Sequence, residues 1–321
     1  MNEEIFDDPE LKEIQERLLS DDTAIRRIAV IELTDIAGEE HAPLLIQALK
    51  DDAPVVRAEA ARALEAFESD EGVRALVPLL DDVDEQVREA AAQGLHDLKL
   101  ASSALILIPH LTNAPTFRKL SLLRSLRELR APESFQPALD ALQDEDAGVR
   151  REAVAVLGYL KNPNALPALT ELAANDSVPD VRRAAIGALG FSTDEDVTPS
   201  LLKALEDTEW QVREEAATIL GKLLLDAARD PLIKALNDEY WQVRLRAARS
   251  LGRLKDVVAV TPLVSLLTHQ ISNLRKESAL ALGEIASPLA LPALELAQND
   301  QDPEVRKSVR LALTQINQAH A

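Results

Sequence analysis

Six cationic side chains, Arg124, Arg151, Arg183, Lys222, Arg249 and Arg253, recur at spacings that put them on one side of successive α-helices. A guanidinium is a planar fork that donates two parallel hydrogen bonds, so a row of them suits carboxylates. Tyr159 and Phe191 stand at matching positions among these cations and offer an apolar centre for a bound group. Trp210 and Trp241 are the only tryptophans, each three residues before an arginine. They read either as a ridge that meets a partner or as cover for an apolar seam. The cations likewise read either as a receptor for an acidic partner or as solvated arginines on exposed helix faces.

Reactive chemistry finds little material. Without Cys the chain offers no thiolate nucleophile, disulfide or sulfur-ligated metal. The histidines are His41, His96, His110, His269 and His320; none pairs as His-x-x-x-His and none is followed by Glu. There is no Gly-rich phosphate loop and no Ser-centred nucleophile elbow. The expectation is a chain with no catalytic residues, no cofactor and no metal.

The net charge is −20. Residues 1–99 carry 26 acidic and 10 basic side chains, and residues 100–321 carry 29 and 25, so the acid is concentrated in the first third. Such a balance repels phosphate backbones, and nucleic acid is not an expected partner. No apolar run approaches the roughly 18 residues of a membrane helix. The acidic start, Met1 to Asp8, lacks the basic and apolar segments of a signal peptide. A cytoplasmic location is expected.

These residues are positioned by a repeat. A basic anchor, usually preceded by Val, stands at 26, 57, 88, 119, 150, 182, 213, 244, 275 and 306, and every step is 31 residues except one of 32. Seven residues after each anchor is a Leu, and three after it is usually Ala. Positions −1, +3, +7 and +10 share one side of a helix, so each anchor lies on a helix B with a buried apolar face. A Leu-rich helix A precedes it, separated by an acidic turn. Pro54, Pro179 and Pro303 suit the first turn of B. Gly158, Gly190, Gly221, Gly252 and Gly283 stand eight after the anchor, where Gly eases termination and close packing. Composition agrees: apolar residues make up 46% and aromatics only 3%, so Leu, Ala, Val and Ile build the core of an all-α protein.

Six residues before the anchor, seven repeats carry Asp: 51, 82, 144, 176, 207, 238 and 300. These carboxylates are expected to meet the anchor arginines and the N–H groups of helix B, forming a ladder. A row of metal or catalytic carboxylates is the alternative, and recurrence in nearly every unit argues against it. Repeat 4 departs most from the pattern, with Arg118, Lys119, Arg124, Arg127 and Arg130 clustered and an uncharged helix A from Leu100 to Leu111. It reads as an irregular packing unit or as a basic contact surface.

The unit Asp-x-x-x-x-Val-Arg-x-x-Ala-x-x-x-Leu-Gly resembles the HEAT repeat, in the short form named after the phycobilisome lyases. The resemblance covers roughly residues 8–318. It implies one right-handed α-solenoid of about ten two-helix repeats over 1–321, with the B helices lining a concave surface. It also implies a protein-interaction scaffold or adaptor that holds a client protein bearing acidic or carboxylate groups. An assembly factor that loads a cofactor onto a client is the alternative the lyase resemblance implies. Deoxyhypusine hydroxylase is another relative by resemblance and uses His-Glu pairs for a di-iron site. Here only the reversed Glu40-His41 occurs, and that activity is not expected.

Overall fold

The computed structural model describes residues 9–36, 41–192 and 195–321. Among the described residues there are twenty α-helices and no strand. The helices belong to two compact units, Met1–Leu160 and Lys161–Ala321. The first holds α1 (Pro9–Leu18), α2 (Thr23–Ile36), α3 (Ala42–Ala48), α4 (Pro54–Ala63), α5 (Asp70–Leu76), α6 (Glu85–His96), α7 (Ala104–Leu107), α8 (Thr116–Leu129), α9 (Phe135–Ala141) and α10 (Ala147–Leu160). The second holds α11 (Leu166–Asn175), α12 (Pro179–Leu189), α13 (Thr198–Ala204), α14 (Trp210–Leu223), α15 (Arg229–Ala235), α16 (Trp241–Leu254), α17 (Val260–Leu266), α18 (Ser272–Ile285), α19 (Leu291–Ala297) and α20 (Pro303–Ala319). Odd numbers are the A helices and even numbers the B helices.

The cadence is uniform because each unit repeats one set of local rules. Every B helix begins three residues before its anchor, where Pro54, Pro179 and Pro303 take the first position and forgo an N–H that has no intrahelical acceptor. The apolar face is buried as its spacing requires: Val56, Val87, Val149, Val212 and Val243 are fully buried, and so are Ala29, Ala60, Ala91, Ala153, Ala185, Ala216 and Ala247. The Leu at +7 is buried in repeats 1 to 9. Leu313, in the tenth repeat, is only half-buried.

Helix ends depart from the expected use of Gly. Arg130, Lys161, Leu224, Lys255 and Ala286, each eleven after its anchor, hold the left-handed conformation at φ between 51° and 56°. No described Gly has a positive φ. Gly instead serves close approach. A Cβ on Gly221 would stand 2.7 Å from Ser250 Cα, and one on Gly252 would stand 2.7 Å from Ala281 Cα. B helices therefore nest backbone to side-chain root, with α14 on α16, α16 on α18 and α18 on α20.

The expected ladder is present, and its rungs join neighbouring repeats. Arg26 donates from Nε and Nη2 to Asp51 at 2.7 and 2.9 Å. Arg57 binds Asp82, Arg182 binds Asp207, Arg213 binds Asp238 and Arg275 binds Asp300 in the same two-pronged way. Lys119 reaches Asp144 at 2.6 Å. The third guanidinium nitrogen, Nη1, donates to carbonyls of its own turn, as from Arg57 to Asp51 and Asp52. Each carboxylate also accepts the N–H two residues on, as Asp207 does from Glu209 at 2.9 Å. One fork thus ties its own A–B turn to that of the next repeat.

Candidate partner-binding faces

In the second unit α12, α14 and α16 expose the positions that face away from the core. Arg249 is committed there: it binds Glu277 with Nε and Nη2 at 2.7 and 2.9 Å, and that carboxylate is buried. Arg246 donates to Glu214 at 2.9 Å. Arg183 only approaches Asp180, at 3.7 Å, and both side chains are exposed. Lys222 and Arg253 are exposed and form no ion pair among the described residues.

A carboxylate lies among these cations. Glu215 stands two after its anchor, the position that Glu152 and Glu277 hold in their repeats. Those two meet an arginine at +5 of the preceding repeat, Arg124 and Arg249. For Glu215 the equivalent residue is Gly187, and a Cβ there would lie 3.2 Å from Glu215 Oε1. Burial pushes the Glu215 carboxyl above the usual range, against the opposing pull of Arg183, Arg246 and Lys222.

In the first unit Arg118 of the repeat 4 cluster turns back to Asp81, while Lys119, Arg124, Arg127 and Arg130 face repeat 5. Arg124 and Arg127 both donate to buried Glu152, at 3.2 and 3.3 Å, and Arg151 approaches it at 3.7 Å. Tyr159 lies beneath two guanidinium groups, with Arg130 5.0 Å and Arg127 5.9 Å from its ring centre, a favourable cation–π arrangement. Beside them a cleft of about 480 Å³ opens between α6 and α8, lined by Glu89, Gln93, His96, Phe117, Arg124 and Arg127. His96 occupies the place of the close-packing Gly, and its Nδ1 is buried without a partner. Helix A of repeat 4 shrinks to four residues, Ala104–Leu107, flanked by 3-10 turns, the second containing Pro109.

The aromatic expectations resolve individually. Phe191 is off the helix face, because α12 ends at Leu189 and Phe191 falls in the following turn. Trp210 stacks on Tyr240 at 5.5 Å with the rings 14° apart, and Arg213 lies over the outer ring at 5.7 Å. Trp210 and Trp241 are each half-buried at the first position of a B helix. Trp210 thus stacks on Tyr240 rather than on Trp241. The pairing of +5 arginines with +2 glutamates escaped the sequence reading. Its signal was the 28-residue spacing shared by Arg124 and Glu152 and by Arg249 and Glu277.

Residues 11–96, 106–190, 174–236 and 229–314 match the family described as HEAT repeats. The chain belongs to the HEAT-repeat family. Deoxyhypusine hydroxylase of Neurospora crassa is 39% identical over 118 residues, 34% of this chain and 36% of that protein. The chain thus matches about a third of that relative's length. Among solved structures, Kap121p aligns with 99% of this HEAT-repeat chain and 42% of its own, at TM-score 0.62 and 16% identity. An engineered protein aligns over 97% and 99%, at TM-score 0.52 and 22% identity. At these identities the likeness is one of fold.

The relative corrects one expectation. Scarcity of reactive residues pointed to a chain outside enzyme chemistry, yet the relative at 39% identity is an enzyme. Resemblance to it implies iron held by His-Glu pairs, and the described residues do not fit that group. Among them no three His, Cys, Asp or Glu side chains come together as a metal would require. His269 Nδ1 already accepts the Ile271 N–H at 3.0 Å. Glu40, the neighbour of His41, lies outside the described residues. No described helix is long and apolar enough to cross a membrane.

Proposed function

We propose that this HEAT-repeat protein binds a client protein through the exposed faces of its B helices, and that the client presents carboxylates. The observation that carries the reading is the contrast among cations in the second unit. Arg249 is locked onto a buried carboxylate, whereas Arg183, Lys222 and Arg253 are exposed and keep donors available. In a chain of net charge −20, cations exposed together on one helix face select for anionic surface and steer it. Trp241 supplies apolar area in the second unit; the first unit, taken by itself, offers the same kind of contact through Arg151 and the ring of Tyr159. Kap95p, which shares the fold, binds RanGDP, and extended helical faces of this type commonly hold proteins. The 31-residue period supports the short, lyase-type form of the repeat. The test is affinity capture with the full chain and with Arg183→Glu/Arg253→Glu, each at low and physiological salt. The client should be retained by the native chain alone.

One observation favours a second reading, the 39% identity to deoxyhypusine hydroxylase. On it, the chain acts on a deoxyhypusine-bearing protein. Iron content of the purified chain and hydroxylation of such a protein test it directly.

A further inference from the structure

Two anchors of the ladder face a repeat that lacks the carboxylate. Opposite Arg88 stands Asn113, and opposite Arg244 stands His269. The first gap is compensated. Arg88 Nη1 donates to the carbonyls of Asp82 and Val83 at 2.8 and 3.2 Å, and its guanidinium lies 5.8 Å over Phe117. The second is not. Arg244 Nε is buried and has no hydrogen-bond partner. Its neighbours on either side, Arg213 and Arg275, are each joined to an Asp and to two carbonyls of their own turn.

His269 stands at the sequence position of the rung without taking its role. Its Nδ1 accepts the Ile271 N–H at 3.0 Å, as the aspartates do two residues on. The neutral ring therefore carries its proton on Nε2 and has no acceptor left for a guanidinium. Burial, together with the charges of Arg244 and Arg275, holds the imidazole below its usual range, so the ring stays uncharged at neutral pH and brings no negative charge to Arg244. Gln242 Oε1, on the same first turn of α16, is likewise buried without a partner. This turn is polar and incomplete, whereas the equivalent turn of α14 is complete.

We propose that the missing rung is a receptor for a carboxylate, and that an Asp or Glu side chain of the client occupies it against Arg244. The intact rungs supply the template: a carboxylate held by Nε and Nη2 at 2.7–2.9 Å. Satisfying a buried orphan donor with a charged acceptor gains more than an exposed pair does. Half-buried Trp241 begins the same turn; its ring gives the rest of an acidic segment something to lie against, which a free anion cannot use. The proposal rests on the acidic-client reading but concerns the ladder edge rather than the exposed B-helix face.

The test uses the full chain and the fluorescence of its two tryptophans, titrated with an Asp-rich peptide and, separately, with sodium acetate. His269→Asp supplies the rung internally, and His269→Asn leaves the gap open as a control. The expected result is saturable peptide binding, weakened at least tenfold by His269→Asp and changed less than twofold by His269→Asn. His269→Asp should also raise the thermal midpoint, because Arg244 gains its partner, and this reads the vacancy independently of any ligand. Peptide binding that survives His269→Asp, or that is absent in the native chain, overturns the proposal. So does acetate binding as strongly as the peptide, which would mark a site for free anions. Loss on Arg183→Glu/Arg253→Glu with no effect of His269→Asp leaves the helix-face reading standing and removes this one; the reverse pattern does the opposite.

Discussion

Arg182 and Asp207, 25 residues apart, meet in a two-pronged pair at 2.8 and 2.7 Å, each side chain about one-eighth exposed. The same two-pronged pair recurs at Arg26, Arg57, Arg213 and Arg275 and couples those A–B turns to the next. Asp207→Ala leaves the Arg182 charge without its carboxylate and frees the Glu209 N–H. The expected loss is about 3 kcal/mol, since breaking a largely buried charged pair strands the partner. Repeats touch only their neighbours, so the loss should show as faster amide exchange in α12 and α14 before any global transition. Uniform exchange across the second unit would contradict the local coupling.

Acid should dismantle the ladder. Asp82 and Asp300 are held below the usual carboxylate range first by their arginines. For Asp51, Asp144, Asp207 and Asp238 burial pushes upward, but the cation and the backbone N–H outweigh it and the net shift is also downward. A depressed native value means that the folded chain resists protonation. The rungs therefore contribute fully above the ordinary carboxylate value near 4 and lose their contribution as pH falls through the lowered native values. Urea unfolding from pH 7 down to about 3 should show stability falling below about pH 4, less steeply in Asp207→Asn.

Helix contact makes opposite demands on two positions. Gly221→Ala gains about 1 kcal/mol of helix propensity, but its Cβ would collide with Ser250 Oγ and stand 2.7 Å from Ser250 Cα. Overpacking against backbone dominates, and a net loss of about 1–3 kcal/mol is expected. Lys255 has φ 56°, a strained value for a side-chain-bearing residue. Lys255→Gly should therefore gain up to about 1 kcal/mol. Thermal unfolding of the two variants, measured side by side, checks both signs.

The period, the helix pairs and the buried face were legible because a ten-fold repeat averages out local accidents. Asp −6 and Arg 0 were readable as partners by charge, but three-dimensional stacking decides that Arg57 reaches Asp82. The candidate site was less legible. Helix-face arithmetic assumes an unbroken helix, and Phe191 fell outside it when α12 stopped at Leu189. It also treats every exposed arginine as available, whereas Arg124 and Arg249 are engaged by buried glutamates from the next repeat. Kinship with an enzyme left no His-Glu motif to read; beyond the resemblance of the repeat it rests on similarity along 118 residues.

The central claim is that exposed cations of the B helices hold an acidic client. Its most direct test is the affinity of one captured client, purified, for the native chain and for Arg183→Glu/Arg253→Glu, at about 50 and 200 mM salt. Both residues are exposed, and Arg183 is only loosely paired, so the fold should be unchanged by circular dichroism. The account predicts at least tenfold weaker binding for the double variant and a shallower salt dependence, because steering by exposed charge is screened over about 8–10 Å. Equal affinity and equal salt dependence in a folded double variant would contradict it.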